Sequence, residues 1–458
     1  MANLVITNGC NLSCPFCFAT EYRCHPAHAT TLSLCDLQQR MAFVGTDTTR
    51  FCGGEPTLHP EFSEMLELAI DRPGGRAFVM TNGLWPAAVR DCLLGLSRTA
   101  RQRITFLFNV LAPSMYTTAQ RSILEDSLTA VLPETVTLGI TLYQHDTDCT
   151  YLLELAERFN IGSLRYSVAA PNITDPTTWL LEPQRDFPLL AQTVTRLLHD
   201  ARNLGIRVQS DCGYLPPCVF DAEQLEEIGH HEAVTFRCHG PLDIGPDGWA
   251  WRCYGLFALT RAHIADYATI DQLQTDMDAR TEFLGNHDLF IECNACAHRR
   301  DGNCGGGCYA FRVVGSMIRR AHRRGFDITD DKQLSAARAH IDRDTLAFFE
   351  HDGRAKWMLK EDDTWTRLHL TAIEEQVLAA CNGSQTVAEV AASLTTSRTS
   401  GASRTSGESR IPSTSRTSGE SRIPSTSRTS RTASTDLTNP VFGAVRKLFA
   451  LGAIELVL

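Results

Sequence analysis

Along the first two hundred residues the apolar positions fall into short runs with helical patterns between them. The runs LVIT (4–7), RFCG (50–53), RAFVMT (76–81), ITFLFNV (104–110), TVTLGITL (135–142) and SLRYSVA (163–169) predict buried strands. Amphipathic stretches such as EFSEMLELAI and CTYLLELAERF separate them. Strand–helix alternation predicts an α/β fold, a parallel sheet joined by right-handed crossovers. Six such units predict a partial (β/α)6 barrel of the TIM type over residues 1–210, with the functional site at the carboxyl ends of the strands. One more strand, IRVQS (206–210), follows a helix expected at about 188–203.

Past residue 210 the rhythm breaks. Between 211 and 312 cysteine, glycine and turn formers dominate, a composition that buries little regular core and needs a staple such as metal. A basic-rich connector, 313–353, reads as helical through MIRRAHRRGF and KQLSAARAHIDRDTLAFFEH, its charges forming a solvated face. A last unit spans 354–396 and 435–458. There LTAIEEQVLAACNG predicts a helix stopped at Asn-Gly, and TVAEVAASL a second helix whose Thr386 and Glu389 have capping-box spacing. PVFGAVRKLFALG and AIELVL predict a closing helix and strand. Residues 397–434 form a low-complexity insert in which a twelve-residue repeat, SRTSGESRIPST, occurs at 403–414 and again at 415–426. Its Ser, Thr, Gly and Pro cannot bury enough apolar area to offset ordering entropy, which predicts disorder. Seven Arg against two Glu give the insert a net charge of +5, in keeping with a solvated linker; a basic nucleic-acid arm is the other reading.

The 458 residues carry a formal charge of -10 and 43% hydrophobic residues, which suits two or three domains with a sizeable core. Mild acidity argues against bulk binding to nucleic acid or an anionic membrane. No apolar run approaches the ~18 residues that span a bilayer. The amino-terminal MANLVITNGC lacks the basic region and cleavage site of a signal peptide. These features predict a cytoplasmic protein. Reducing conditions there disfavour disulfides, so clustered thiols among the seventeen cysteines read as metal ligands or catalytic groups. Cys24, Cys35, Cys52, Cys92, Cys149 and Cys381 stand alone and read as small buried or partly buried packing side chains.

Cys10, Cys14 and Cys17 follow the first strand with the spacing C-x3-C-x2-C. Three thiolates on one loop can hold three corners of a 4Fe–4S cube, which ordinarily takes four cysteines, and leave one iron open to a ligand that is not protein. A zinc site is the competing reading; it needs a fourth ligand, which His25 or His28 could supply. With the aromatic Phe16 before the last cysteine, the motif resembles that of the radical S-adenosylmethionine (radical SAM) superfamily. The resemblance implies that the open iron chelates S-adenosylmethionine, that one electron cleaves it to methionine and a 5′-deoxyadenosyl radical, and that the radical abstracts hydrogen from a substrate. CGGEP (52–56), at the end of the second strand, is similar to the family's GGEP motif. By that resemblance Gly53 and Gly54 let the backbone approach the bound methionine, Glu55 accepts from its ammonium and Pro56 stiffens the turn. Thr81, Asn82, Asn109 and Arg165, at later strand ends, are further candidates for cofactor contact, with turn capping or packing as the alternative.

A second constellation lies far along the chain. Cys238, Gly248 and Cys253 have the spacing C-x9-G-x4-C, and Cys293, Cys296, Cys304 and Cys308 the spacing C-x2-C-x7-C-x3-C. The PDG turn inside the first pair predicts a hairpin. The last four suit a zinc knuckle by spacing alone. Together the set resembles the SPASM extension of radical SAM enzymes, which carries one or two auxiliary 4Fe–4S clusters; its CGGGC segment would aim backbone amides at cluster sulfurs. The chain departs from that pattern twice. The gap between Cys296 and Cys304 is longer than the family's, and the terminal cysteine is missing, since only Cys381 follows. The family's division of ligands implies a first auxiliary cluster on Cys238, Cys253 and Cys308, with Cys218 or Cys212 as fourth ligand. It implies a second on Cys293, Cys296 and Cys304, three-coordinate or completed by another residue. A single auxiliary cluster, with the other thiols structural, is also open.

HLTAIEEQVLAACNGSQTVAEVAASL resembles the small peptide-chaperone domain of pyrroloquinoline-quinone biosynthesis, a PqqD-like winged helix that recurs in leader-peptide recognition. The resemblance implies that a leader adds a strand to a sheet edge. DNA binding is the other use of a winged helix, for which the last helix offers only Arg446 and Lys447 among apolar residues. Taken together, the resemblances imply a radical SAM enzyme that modifies a ribosomally made precursor peptide. It would take electrons from an external one-electron donor such as flavodoxin or ferredoxin, and have neither nucleic acid nor membrane as partner. The alternatives are the same chemistry on a small metabolite or protein side chain, and a non-enzymatic iron–sulfur or zinc sensor with a winged-helix output.

Overall fold

The computed structural model describes residues 2–19, 22, 31–238, 240–284, 287–341, 346–351, 354–361, 364–368, 370, 372–401, 438–450 and 453–457. Two compact units, Met1–Gly325 and Phe326–Leu458, make up the chain. Cys24, His25, His28 and the repeats at 403–426 lie outside the described residues.

The first unit is built on seven parallel strands: β1 Ala2–Thr7, β2 Thr48–Gly53, β3 Arg76–Thr81, β4 Ile104–Asn109, β5 Val136–Leu142, β6 Ser163–Val168 and β7 Arg207–Ser210. They pair in chain order. A helix follows each of the first six: α1 Leu34–Val44, α2 Phe62–Ile70, α3 Ala87–Gly95, α4 Thr118–Ala130, α5 Thr150–Arg158 and α6 Pro183–Asn203. The parallel α/β architecture is the one the alternating runs predict. Its cause is visible in β1, where all six residues are buried, as expected of a strand covered on both faces. Helix α6 shows the complementary pattern. Phe187, Leu190, Ala191, Val194, Leu197, Leu198 and Ala201 recur at helical spacing and are buried, together with Asp186 in the first turn.

The cysteine-rich stretch differs from expectation. Instead of standing apart from residue 211, it extends the barrel sheet: β8 Leu242–Ile244 pairs in parallel with β1, and β9 Trp249–Trp251 and β10 Ala262–His263 continue antiparallel. The reason is that β1 needs a partner on its second edge, and the LDI run supplies three buried residues there. The hairpin between Cys238 and Cys253 forms where the turn signal put it, with Gly248 at φ +85°. The segment also holds two regular helices, α7 Ala222–Gly229 and α8 Ile270–Phe283.

The connector at 313–353 is only partly helical. α9 Tyr309–Arg323 and the short α10 Asp331–Ala336 give way to strands β11 Arg338–Ile341 and β12 Leu346–His351. β12 opens an antiparallel meander with β13 Arg354–Glu361 and β14 Thr364–Leu368. Cross-strand pairing outweighs the helical pattern in this stretch: β11 is the middle strand of a second sheet, ordered β15-β11-β16, with β15 Asn382–Thr386 and β16 Ile454–Val457 on its sides. Against that sheet's sequence neighbours stand α11 Ala372–Ala380, α12 Val387–Gly401 and α13 Thr438–Ala450. The capping box forms: Glu389 N donates to Thr386 Oγ1 at 3.2 Å and Thr386 N to Glu389 Oε2 at 2.7 Å. α12 continues to Gly401, past residue 397 where the insert was expected to begin, because a started helix gains one hydrogen bond per added residue. Among the described residues no helix is long and apolar enough to cross a membrane.

Candidate functional site

Because β1 is fully buried, its end at Thr7 is a fixed point from which the cysteine loop departs. Cys10, Cys14 and Cys17 are half-buried on that loop. The corner at the end of β2 fastens its root. Gly54 N donates to Thr7 O at 2.9 Å, and Glu55 N to Gly9 O at 2.7 Å. A Cβ on Gly53 would lie 2.3 Å from Thr7 O, and one on Gly54 would lie 2.2 Å from Gly9 O. Only glycine tolerates such an approach. The two glycines therefore bring the corner against the cysteine loop, a role the sequence reading did not give them. Within the loop Cys17 N donates to Cys14 O at 3.2 Å. The Phe16 ring packs on Tyr143 with 5.0 Å between centroids.

Glu55 was expected to face the cofactor's ammonium. Its side chain is 0% exposed and already engaged by protein donors. Oε1 accepts from Thr57 N at 3.2 Å, Thr57 Oγ1 at 2.6 Å and Thr81 Oγ1 at 2.8 Å, and Oε2 accepts from Asn82 N at 2.7 Å. Burial pushes its carboxyl above the usual range, and these donors pull it back. Glu55 thus ties the end of β2 to the end of β3. Pro56 starts the short turn Pro56–Leu58 that Glu55 caps.

Thr81 is equally enclosed, accepting from Gly83 N at 3.0 Å and Trp85 Nε1 at 2.7 Å. Asn82 reaches the cysteine loop itself. Its Nδ2 donates to Asn11 Oδ1 at 2.8 Å and lies 3.9 Å from Cys10 Sγ, while its Oδ1 accepts from Leu84 N at 2.9 Å. Asn109 is exposed at the end of β4, and a Cβ on Gly139 would lie 2.8 Å from its Oδ1. Arg165 is paired with Asp211, across the ends of β6 and β7, away from the Cys10–Asn82 contact in the hydrogen-bond network. Two residues passed over by the sequence reading belong with the loop. Asn11 donates to Leu84 O at 2.8 Å, and Asn172, just past β6, donates to Phe18 O at 3.3 Å. Their signal was a polar residue beside a cysteine or beyond a strand's carboxyl end, which is too common to single out.

The distant cysteines are arranged differently. Neither here nor at the amino-terminal loop do three Cys, His, Asp or Glu side chains among the described residues converge closely enough to hold a single metal ion. Their amide environment bears on a cluster. The Cys238 sulfur accepts from the backbone of Tyr309 and Gly240, Cys253 from Gly255 and Leu256, and Cys308 from Phe311, Ala310 and Gly213. Cys304 Sγ accepts from Gly306 N at 3.2 Å. Amides aimed at sulfur stabilise thiolate and are the second-shell support an iron–sulfur cluster uses, so the residues present fit such a group. Burial opposes them, and pushes Cys238 up to about 12 when no metal charge is counted. At the amino-terminal loop three half-buried thiols stand beside the Gly53–Gly54 corner, a donor set that would hold three irons of such a cluster.

Of the solitary cysteines, Cys52, Cys149 and Cys381 are buried and Cys92 is half-buried. Cys35 is exposed on α1, where Gln39 Nε2 lies 3.7 Å from its sulfur, so it is not a packing residue.

Residues 4–103 match the family model of the Radical SAM superfamily. Among curated proteins, the 7,8-dihydro-6-hydroxymethylpterin dimethyltransferase of Methanocaldococcus jannaschii is 32% identical over 89 residues, 18% of this chain and 17% of the relative. The GTP 3′,8-cyclase of Chlorobaculum tepidum is 30% identical over 82 residues, 18% of this chain and 25% of the relative. The chain thus spans a quarter or less of the length of these relatives. Among solved structures, Streptococcus suis SuiB bound to precursor peptide SuiA aligns over 69% of this chain and 72% of its own, at 14% identity and a TM-score of 0.45.

Proposed function

We propose that this protein is a radical SAM enzyme acting on a ribosomally made precursor peptide. The observation that carries the reading is the fastening of the Cys10–Cys14–Cys17 loop to the Gly53–Gly54 corner. Cys10, Cys14 and Cys17 would hold a 4Fe–4S cluster by three of its irons. With S-adenosylmethionine on the fourth, such a cluster supplies the electron that cleaves the cofactor and releases a hydrogen-abstracting 5′-deoxyadenosyl radical. The protein's own part is orientation. Glu55, Thr81 and Asn82 set the spacing between the β2 and β3 ends, and Asn82 Nδ2 stands beside the Cys10 sulfur, where a donor favours thiolate. Phe16 and Tyr143 wall the loop with apolar surface that keeps water from a radical.

Peptide recognition is assigned to the second unit, read as a PqqD-like winged helix. Two features support it. The outer strands β15 and β16 flank β11 and, among the described residues, pair only with it, which suits an extended peptide adding to an edge. The cations of the last helix are turned inward: Lys447 is 1% exposed and pairs with Glu374 at 2.8 Å, and Arg446 pairs with Asp331 and donates to Ile328 O at 3.2 Å. A DNA-reading helix needs such charges on its surface. The segment around Cys238–Cys308 is read as a SPASM-type carrier of auxiliary clusters, and an external one-electron donor completes the cycle.

Anaerobically reconstituted, reduced protein incubated with S-adenosylmethionine is expected to form 5′-deoxyadenosine and methionine. None formed with the amino-terminal cluster intact would remove the enzymatic reading. Titration of the full chain with a short peptide encoded beside its gene, against a DNA duplex, separates the recognition readings: the peptide should bind and the duplex should not.

A further inference from the structure

We infer that Cys218 completes the second auxiliary site with Cys293, Cys296 and Cys304, while Cys212 completes the first with Cys238, Cys253 and Cys308. The ligand that no downstream cysteine supplies is thus drawn from upstream, out of the loop that follows β7. This rests on reading the segment as cluster-bearing, and goes beyond it by closing both coordination shells with this chain's own thiols.

The path of the chain carries the inference. After β7, Cys212 O accepts from Val168 N at 2.9 Å, and Gly213 takes φ +78° with its would-be Cβ 2.0 Å from Val168 O. Cys212 is thereby pinned beside the end of β6, and the next residue's amide donates to the Cys308 sulfur. The loop then crosses the CGGGC turn: a Cβ on Gly307 would lie 3.7 Å from Tyr214 O and 3.9 Å from Pro216 Cδ. Beyond that crossing the short helical turn Pro217–Val219 presents Cys218, which is exposed. Cys212 thus comes before the loop passes the glycine turn and Cys218 after it. The electrostatic neighbours agree with this division. Besides burial, Cys212 is acted on by Asp211, Cys253 and Cys238, whereas Cys218 is acted on by Cys304, Cys293 and Cys296. A cavity of about 380 Å³ stands at the second set, lined by Asp288, Cys293, Asn294, Cys296, Arg299 and Arg300; the two arginines suit the negative charge of a four-thiolate cube. Cys304 lines a neighbouring cavity with Cys238, which places it at the seam between the sets; the crossing of the Cys218 loop decides its side.

The test uses the full chain with Cys10, Cys14 and Cys17 replaced by Ala, reconstituted with ferrous iron and sulfide, so that the radical-generating cluster is out of the count. This background should bind about eight irons, two cubes. Adding Cys238→Ala and Cys253→Ala leaves the second site alone; there Cys218→Ala should lower iron and sulfide by at least half or change the electron-paramagnetic signal, and Cys212→Ala should do neither. Replacing Cys293 and Cys296 instead should reverse the dependence. Circular dichroism on each variant reports folding, and Cys218→Ser, an oxygen ligand of similar size, should retain more iron than Cys218→Ala. A second site indifferent to Cys218, or a first site that needs it, overturns the inference while leaving the auxiliary clusters in place. A background that binds no iron overturns the inference and the cluster reading together, and neither result touches the amino-terminal site, whose 5′-deoxyadenosine assay is run on the unaltered chain.

Discussion

The amino-terminal and the distant cysteines are two different arrangements of clustered thiols. Three thiols of the first site come from eight consecutive residues, stay half-buried, and are steadied at the loop's root by backbone bonds to Gly54 and Glu55. The distant thiols come from the loop after β7, both flanks of a hairpin and the 293–308 segment, and three of them take two or more backbone amides each. On the proposed reading, a short three-thiol loop would leave one coordination position to a ligand from outside, whereas a site assembled from several segments would surround its cluster and tune it. The contrast teaches that openness is built by leaving protein out, and that glycine at a strand end is one way to do so.

The largest effect expected is at the open site. Replacing Cys10, Cys14 and Cys17 together should abolish 5′-deoxyadenosine formation and remove about four irons, with the auxiliary iron retained; an unchanged product yield would break the comparison. Next comes Gly54→Ala. Its Cβ would fall 2.2 Å from Gly9 O, an overpacking that costs about 1–3 kcal/mol or shifts the cysteine loop, and a drop of at least ~10-fold in product formation should accompany the lower melting temperature. Cys253→Ala tests the closed site. It should cost one auxiliary cluster yet leave cleavage of S-adenosylmethionine within a few-fold, with modification of the peptide lost instead. Asn82→Ala removes the donor near Cys10 and the bond to Asn11; a spectral or potential change in the first cluster is expected with stability lowered by about 1 kcal/mol.

The smallest effect is on pH dependence. Asp243, on β8 where the two regions share a sheet, is pushed from 3.8 to about 7, chiefly by burial, with the nearby charge of Asp211 adding and Asn3 and Arg50 opposing. Its folded form holds a proton that the unfolded form releases near the ordinary carboxylate range. Between about pH 4 and 7 the contribution of this group to stability therefore falls as pH rises. Asp243→Asn should flatten that slope in urea melts; an unchanged slope would show that the group is ionised throughout.

Much of this was legible because its signals are local. Each of the seven parallel strands overlaps a stretch read as a strand: β1 is buried throughout, whereas β3 and β6 alternate buried and more exposed positions. The thiol spacing of Cys10, Cys14 and Cys17 and the glycine pair at 53–54 were equally plain. The misreadings have one source. RAHI at 338–341 sits in a helical pattern and becomes the centre of a sheet because β15 and β16 arrive to pair with it. LDI at 242–244 joins the barrel because β1 has a second edge. Glu55 is a motif residue whose carboxylate is enclosed by donors from β3, brought there by a crossover.

The sequence by itself determined the alternation of strands and helices, the three-thiol loop and the glycine corner, since each follows from side-chain periodicity or spacing within a few residues. Which side chains surround Glu55 and which strand closes β1's free edge were decided by tertiary structure alone. Those outcomes depend on segments far apart in the chain meeting in space, and the energy of such meetings is written in neither partner separately.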